Sequence, residues 1–365
     1  MSDPVLQNLV DRVQSARADG HPLLIRGGHT KAFYGEALQG QPLDIRPLAG
    51  ISSYEPSELV VTVRAGTWLA DLEAALADQG QCLPFEPPHY ALGGTVGGMV
   101  AAGIAGPARA SVGGVRDYVL GATLLNGRAE VVSFGGTVMK NVAGYDVARL
   151  LAGSMGVLGV ILEVSLKVLP RPPATATLRF ELDEATALRK LNEWGGQPLP
   201  ISASAWWDGM LVLRLSGAAA AVQAAEKQLG GEPVEPAMAA PFWQGLRDHQ
   251  DEFFTKAQAA VQAGATLWRV SVPQTAPTLD LPGNPAHERL IEWGGAQRWV
   301  VTNAPALVLR EAAARAGGHA VVFRGDKSPG VFAPLAPAQL GLQQRLKNAF
   351  DPEHIFNPGR LYPDL

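Results

Sequence analysis

Glycine-punctuated segments hold the side chains of this chain that could do chemistry. In residues 92–98, Leu-Gly-Gly-Thr-Val-Gly-Gly, four glycines surround one hydroxyl, Thr95. Glycine accepts positive φ and lets a ligand come close to the main chain. Exposed amide N–H groups beside a hydroxyl can hold a phosphate or pyrophosphate. A tight strand-to-helix packing turn is the competing reading. A membrane span over residues 90–108, which carry no charge, is rejected because six glycines and Pro107 interrupt it and large apolar side chains are few.

A second glycine turn bears Arg26, His29, Thr30 and Lys31. Either cation suits a phosphate, and an ordinary surface turn is equally consistent with the pattern. Neither segment matches G-x-G-x-x-G, and G-x-x-x-x-G-K-[ST] occurs nowhere, so the usual nucleotide loops are absent. Two further segments follow, 138–146 (Val-Met-Lys-Asn-Val-Ala-Gly-Tyr-Asp) and 153–161, the latter with glycine at 153, 156 and 159. So many glycine loops in one region make chance packing turns a poor account of them all.

The elements that must position these loops can be read from periodicity. Residues 3–18 have helical apolar spacing, and 23–25 read as a short buried strand. Segments 43–45 and 58–64 read as strands from their β-branched content. Residues 68–79 read as an amphipathic helix closed by Gly80. Asn126-Gly127 between two β-rich runs is a strong hairpin signal. A strand at 160–169 leads to Pro170-Arg-Pro-Pro173, a linker. Beyond it, strands are expected at 176–182, 210–215, 267–272, 299–301 and 319–323. Helices are expected at 218–229, 253–263 and 305–317, which makes an α+β domain. A final helix, 339–350, precedes a tail. The expected domains are 1–172, 173–338 and 339–365.

Length and composition bound the function. A chain of 365 residues, 47% hydrophobic and 18% charged, is globular and long enough for two domains. A net charge of −4 without any Lys/Arg run gives nucleic acid no electrostatic support. The single cysteine, Cys82, excludes intramolecular disulfides and any cysteine-built metal or iron–sulfur site within the chain. Cys82 is expected to be a small buried residue. The first residues are polar and lack an apolar signal core. A cytoplasmic location is therefore the default, with peripheral attachment to a membrane through partners left open.

Taken in order, segments 26–31, 93–98, 111–121, 140–146, 153–161 and 350–362 resemble the FAD-linked oxidases of the vanillyl-alcohol oxidase/p-cresol methylhydroxylase (PCMH) type, in particular the FAD-bearing subunits of bacterial glycolate oxidases. The signals are Arg-Gly-Gly-His-Thr-Lys-Ala-Phe-Tyr-Gly, Lys-Asn-Val-Ala-Gly-Tyr-Asp and the ending Ile-Phe-Asn-Pro-Gly-Arg-Leu-Tyr. The resemblance implies an α+β fold: a PCMH-type FAD-binding domain of two subdomains, then a smaller α+β cap and a tail returning to the flavin. It implies that FAD pyrophosphate meets Arg26, Gly27, Gly28, His29, Thr30 and Lys31, together with Gly94, Thr95, Val96, Gly97 and Gly98. Ser111 and Asp117 would line the next part of the cofactor. The backbone of Gly159, Val160 and Ile161 would lie against the adenosine half or the flavin edge. Asn357 and Arg360 would return to the flavin region.

The sequence departs from this pattern at two places. Many relatives have an acidic residue and a threonine where this chain has Met155 and Val157, so a polar side-chain role for that loop is in doubt. His29 stands where close relatives often have glycine, serine or asparagine. A covalent flavin link through it competes with a simpler reading, a histidine hydrogen-bonded near phosphate.

The reaction implied is oxidation of a 2-hydroxy acid, glycolate, to glyoxylate, with hydride passing to flavin and a proton to a base. Arg269, Arg310 and Arg324 are candidates to clamp a substrate carboxylate. His249, His287, His319 and His354 are each lone, with no neighbour at metal-ligand spacing. Related oxidases carry a His-x-Gly-Asp-Gly-Asn-x-His motif in the C-terminal domain; here Gly317-Gly-His-Ala and Phe323-Arg-Gly-Asp stand instead. No catalytic residue or metal is therefore assigned. A division of labour is expected: FAD on this chain, a companion flavoprotein subunit, and an iron–sulfur subunit to carry electrons onward. The alternatives are a free-standing flavin oxidase of another alcohol or acid and a flavin-free scaffold. A nicotinamide dehydrogenase is disfavoured by the missing fingerprint. Trp206, Trp207 and Trp243 read either as interface anchors or as core.

Overall fold

A computed structural model describes residues 3–136, 146–281 and 288–365. The chain forms two compact units. The first comprises Met1–Ile104, Gly114–Arg171 and Pro334–Leu365; the second comprises Ala105–Gly113 and Pro172–Ala333.

In the first unit the helix Pro4–Asp19 opens on Asp3, whose carboxylate accepts from Val5 N, and closes on Gly20 in the left-handed region. The strand Leu23–Arg26 pairs in parallel with Gln41–Asp44. A five-stranded antiparallel sheet runs in the order Ile51–Glu55, Val60–Arg64, Val160–Lys167, Val119–Leu125, Val131–Gly135. Its central strands are buried almost throughout, with Val61, Val63, Val119, Leu124, Val164 and Leu166 all at 0% exposure. The helices Leu69–Asp78, Val96–Ala102 and Pro337–Phe350 complete the unit. The uncharged 90–108 stretch thus yields one helix of seven residues. Among the described residues no helix is long and apolar enough to cross a membrane.

The Asn126-Gly127 signal lands on a hairpin, for an additional reason. The Asn126 side-chain oxygen accepts from Arg128 N and Glu130 N, and Ala129 takes the positive φ of 62°. Gly127 is needed for space. A Cβ there would lie 2.5 Å from Asp351 Oδ1 and 2.7 Å from Asp351 Cα, and Gly127 N donates to Phe350 O.

The second unit is built on an eight-stranded antiparallel sheet. Its order is Glu232–Pro233, Ala174–Glu181, Met210–Gly217, Ile201–Trp207, Glu288–Glu292, Gln297–Thr302, Thr266–Ser271, His319–Arg324. Alternation sets its buried face, with Leu211, Leu213 and Leu215 inward on one strand. Helices Glu184–Gly195, Ala219–Leu229, Pro236–Asp248, Glu252–Gln262 and Ala306–Arg315 belong to it. Periodicity alone missed the strands Ile201–Trp207 and Glu288–Glu292 and the helices Glu184–Gly195 and Pro236–Asp248. Trp243 is buried, its N–H donating to Thr177 Oγ1. Trp206 is half-buried and donates to Leu182 O. Cys82, in the first unit, is half-buried rather than buried.

Two measurements test this packing. Gly127→Ala should lower stability by about 1–3 kcal/mol, the usual cost of overpacking, read as a fall in the denaturant midpoint. The second concerns Asp251, which caps the helix Glu252–Gln262 through Phe254 N. Burial pushes its carboxyl from 3.8 up to about 6. The folded state therefore holds this proton more tightly than the unfolded state. Stability should fall as pH rises from about 4 to about 6. Asp251→Asn, which keeps a capping oxygen, should flatten that slope in thermal unfolding followed across this pH window.

Candidate functional site

The first unit contains a groove whose walls come from four separate parts of the chain. The strand Leu23–Arg26 supplies the first wall and runs into the glycine turn that bears His29 at φ 59°. The second wall is the Thr95 turn. Thr95 is the N-cap of the helix Val96–Ala102, its oxygen accepting from Gly98 N at 3.2 Å. The two turns meet backbone to backbone. A Cβ on Gly27 would sit 2.3 Å from Thr95 Oγ1, and one on Gly28 would sit 1.5 Å from Gly93 O. Glycine is required there by contact, at residues without positive φ.

Hydrogen bonds within the Thr95 turn narrow what it can offer an anion. Val96 N donates to Thr67 O, Gly97 N to Ala65 O and Gly98 N to the Thr95 oxygen. These three amides are engaged within the chain. The Thr95 hydroxyl keeps its own donor capacity, and the 26–31 turn brings the charged groups.

The third wall holds Met155, Gly156, Gly159 and Ile161, and the fourth holds Asn357 and Arg360. Asn357 joins these walls to the first. Its side-chain oxygen accepts from Ile25 N at 2.8 Å, and its amide nitrogen donates to Met155 O at 2.7 Å. Gly156 admits this amide, since a Cβ there would lie 2.6 Å from Asn357 Nδ2. Arg360 is buried, with its guanidinium donating to the carbonyls of Ala32, Tyr34 and Glu36. Burial draws its pKa down to about 10, which leaves it a cation at neutral pH. Burial, Arg26 and Arg360 together lower the pKa of His29. These neighbours favour the neutral imidazole.

Of the residues singled out in sequence, Arg26, Gly27, Gly28, His29, Thr30, Lys31, Thr95, Gly97, Gly98, Gly159, Ile161, Asn357 and Arg360 line this groove. Gly94 and Val96 lie in the same turn behind the wall, and the Val96 and Val160 side chains are fully buried. Ser111 lies in the second unit, its hydroxyl donating to Ala108 O and Ser202 O. Asp117 accepts from Gly114 N at 2.8 Å. The segment 138–146 falls outside the described residues apart from Asp146, as does His287. Sequence reasoning missed the supports behind the groove, chiefly Lys347 and Asp351, whose i,i+4 spacing reads as an ordinary helix-surface pair.

In the second unit Arg310 donates to the carbonyls of Pro329, Gly330 and Phe332 and so braces a loop. Arg269 and Arg324 each hold a guanidinium 6.0 Å from the Phe323 ring. His249 is buried and stacked on Phe254 at 3.6 Å, and burial lowers its pKa well below the ordinary value. His354 meets Asn348 Oδ1. Among the described residues no three His, Cys, Asp or Glu side chains gather as a metal site.

A groove with close-approach glycines, the hydroxyl-bearing Thr30 and Thr95 and clustered cations fits a dinucleotide's pyrophosphate. The class is that of FAD-binding proteins: the family described as "FAD binding domain" matches residues 6–148, and FAD is the cofactor. The fold recurs in a solved structure of alkyldihydroxyacetonephosphate synthase, with a TM-score of 0.65 at 14% identity over 96% of this chain and 74% of that one. The chain is 48% identical over 360 residues to glycolate oxidase subunit GlcE of Escherichia coli (strain K12), covering 98% of each. It belongs to the family of that subunit. Partial likeness extends to D-lactate dehydrogenase of Anaerostipes hadrus, 34% identical over 38% of this chain and 29% of that protein. It extends also to glycolate oxidase subunit GlcD of Bacillus subtilis (strain 168), 30% identical over 43% and 34% respectively.

Gly28→Ala should force the two turns apart and weaken FAD binding by about 100-fold, the scale of a ~1 Å misplacement. Flavin absorbance retained by the purified variant at wild-type stoichiometry would contradict the packing described.

Proposed function

We propose that this chain is the FAD-bearing subunit of a complex that oxidises glycolate to glyoxylate and passes the electrons to an iron–sulfur partner. The observation that carries the reading is the likeness to a glycolate oxidase subunit along 98% of both chains. In the reaction the carbinol carbon loses a hydride and its hydroxyl a proton. FAD, when bound, supplies the hydride acceptor.

The remaining work falls to this chain's own groups. Arg26 and Lys31 face the pyrophosphate as charges, and the Gly27, Gly28, His29 and Thr30 backbone lets it approach. The Thr95 hydroxyl would donate to it. Gly94, Val96, Gly97 and Gly98 form the turn that aims that hydroxyl. The backbone of Gly159, Val160 and Ile161 forms the wall along the adenosine half or the flavin edge. Asn357 and Arg360 hold the walls in register. Ser111 and Asp117 are left out of this set, because neither lines the groove. The first unit is assigned as the FAD domain and the second as a cap. No proton acceptor is assigned on this chain, so oxidation of glycolate itself falls to the companion flavoprotein subunit. Location at the cytoplasmic face of the membrane, through the partners, completes the reading.

A second reading, a free-standing oxidase, draws support from Arg269 and Arg324. Two guanidiniums flanking one ring suit a substrate carboxylate.

Anaerobic absorption spectra before and after adding glycolate separate these readings. The purified chain should show a flavin spectrum that glycolate leaves unchanged until the companion subunits are added, and then bleaches. Bleaching by the chain alone would move oxidation onto this chain and support the second reading. Absence of flavin even after adding FAD would overturn both. On denaturation the flavin should leave the protein; flavin retained on the unfolded chain would establish a covalent link, with His29 the residue to examine.

A further inference from the structure

One buried ammonium connects the walls of the groove without lining it. Lys347, on the helix Pro337–Phe350, is 1% exposed, and Asp351 is 0% exposed. Lys347 Nζ donates to Asp351 Oδ2 at 2.7 Å, Val157 O at 2.8 Å and Phe356 O at 2.8 Å. An ammonium has three protons, and each of these has an acceptor. Asp351 in turn accepts from Ile355 N and Phe356 N.

The acceptors lie on or beside two of the groove's walls. Val157 sits between Met155, Gly156 and Gly159 of the third wall. Phe356 precedes Asn357 of the fourth wall. The tail also docks beside the first wall, with Leu23 N donating to Ile355 O and Asn357 N to Leu23 O. One ammonium is thus hydrogen-bonded both to the third wall's segment and to the tail of the fourth.

An apolar pair of like volume would hold the helix at least as well, because burying two charges costs desolvation that their attraction barely repays. What an apolar pair could not do is fix two carbonyls at hydrogen-bond distance from one point. We propose that Lys347, oriented by Asp351, is a positioning residue of the FAD site: it sets the spacing between the 155–161 wall and the Asn357 tail, and so the fit of the cofactor. This rests on the FAD reading and adds to it a residue that touches no cofactor.

The test uses the full chain. Lys347→Met should weaken FAD binding at least about tenfold, the scale for loss of a supporting residue, at temperatures well below its own melting point. It should also alter the visible circular dichroism of the bound flavin. Val13→Ala, a fully buried residue of the first helix outside the groove, should lower Tm and change neither. Wild-type affinity and dichroism in Lys347→Met would overturn the proposal, as would an equal loss in Val13→Ala. If Lys347→Met does not fold, hydrogen exchange on the wild-type chain decides. Amides of Val157, Ile355, Phe356 and Asn357 should share one opening free energy, and separate values would overturn the proposal. Failure of the FAD reading shows elsewhere, as wild-type protein that takes up no flavin. The exchange measurement stands independently of that result.

Discussion

The side-chain amide of Asn357 is the joint on which the groove depends. Its two ends reach Ile25 N and Met155 O, groups 332 and 202 residues away in sequence. Asn357 is 6% exposed and sits at φ 41°, a conformation that asparagine tolerates better than most residues. With the amide in place, the end of the strand Leu23–Arg26 and the Met155 loop cannot drift apart. Everything else around the groove, including the Arg360 guanidinium under the 32–36 carbonyls, elaborates that three-way contact.

Much of the site was legible because glycine marks backbone contact. Gly27, Gly28 and Thr95 could be picked out from composition alone, and they do meet around one groove. The hydrogen bonds were not legible. Nothing in Thr-Val-Gly-Gly says that Ala65 and Thr67 take up the amides of Gly97 and Val96. The fold was read well where periodicity is strong, as in Pro4–Asp19 and the 119–135 hairpin. It was read poorly at Ile201–Trp207, where Ser202 and Ser204 do alternate with Ala203 and Ala205 but the side chains are too small to give a strong strand signal. The segment 105–113 belongs to the second unit, and a run of alanine, glycine and proline gives no pattern from which to assign it. Lys347 and Asp351 were invisible for a different reason. A lysine four residues before an aspartate on a helix is common at the surface, and burial is a tertiary property.

The second unit distributes its chemistry differently. Arg310 braces a loop, Arg269 and Arg324 lie near the Phe323 ring, Arg179, Arg247 and Arg289 pair with carboxylates, and the buried His249 is packed as an aromatic. Polar groups there serve the sheet. This contrasts with the first unit, where carbonyls, threonines and several cations gather around one groove.

The route of the chain through the two units has a consequence for biosynthesis. The first wall of the groove is made early, and the tail that secures it emerges 332 residues later. Between them the ribosome makes the whole of Pro172–Ala333, roughly ten to thirty seconds of translation. Over that interval the nascent flavin unit has an unsecured edge at Leu23–Arg26 and an open groove. Closure of the groove thereby waits on synthesis of Asn357, the residue that ties Ile25 to Met155.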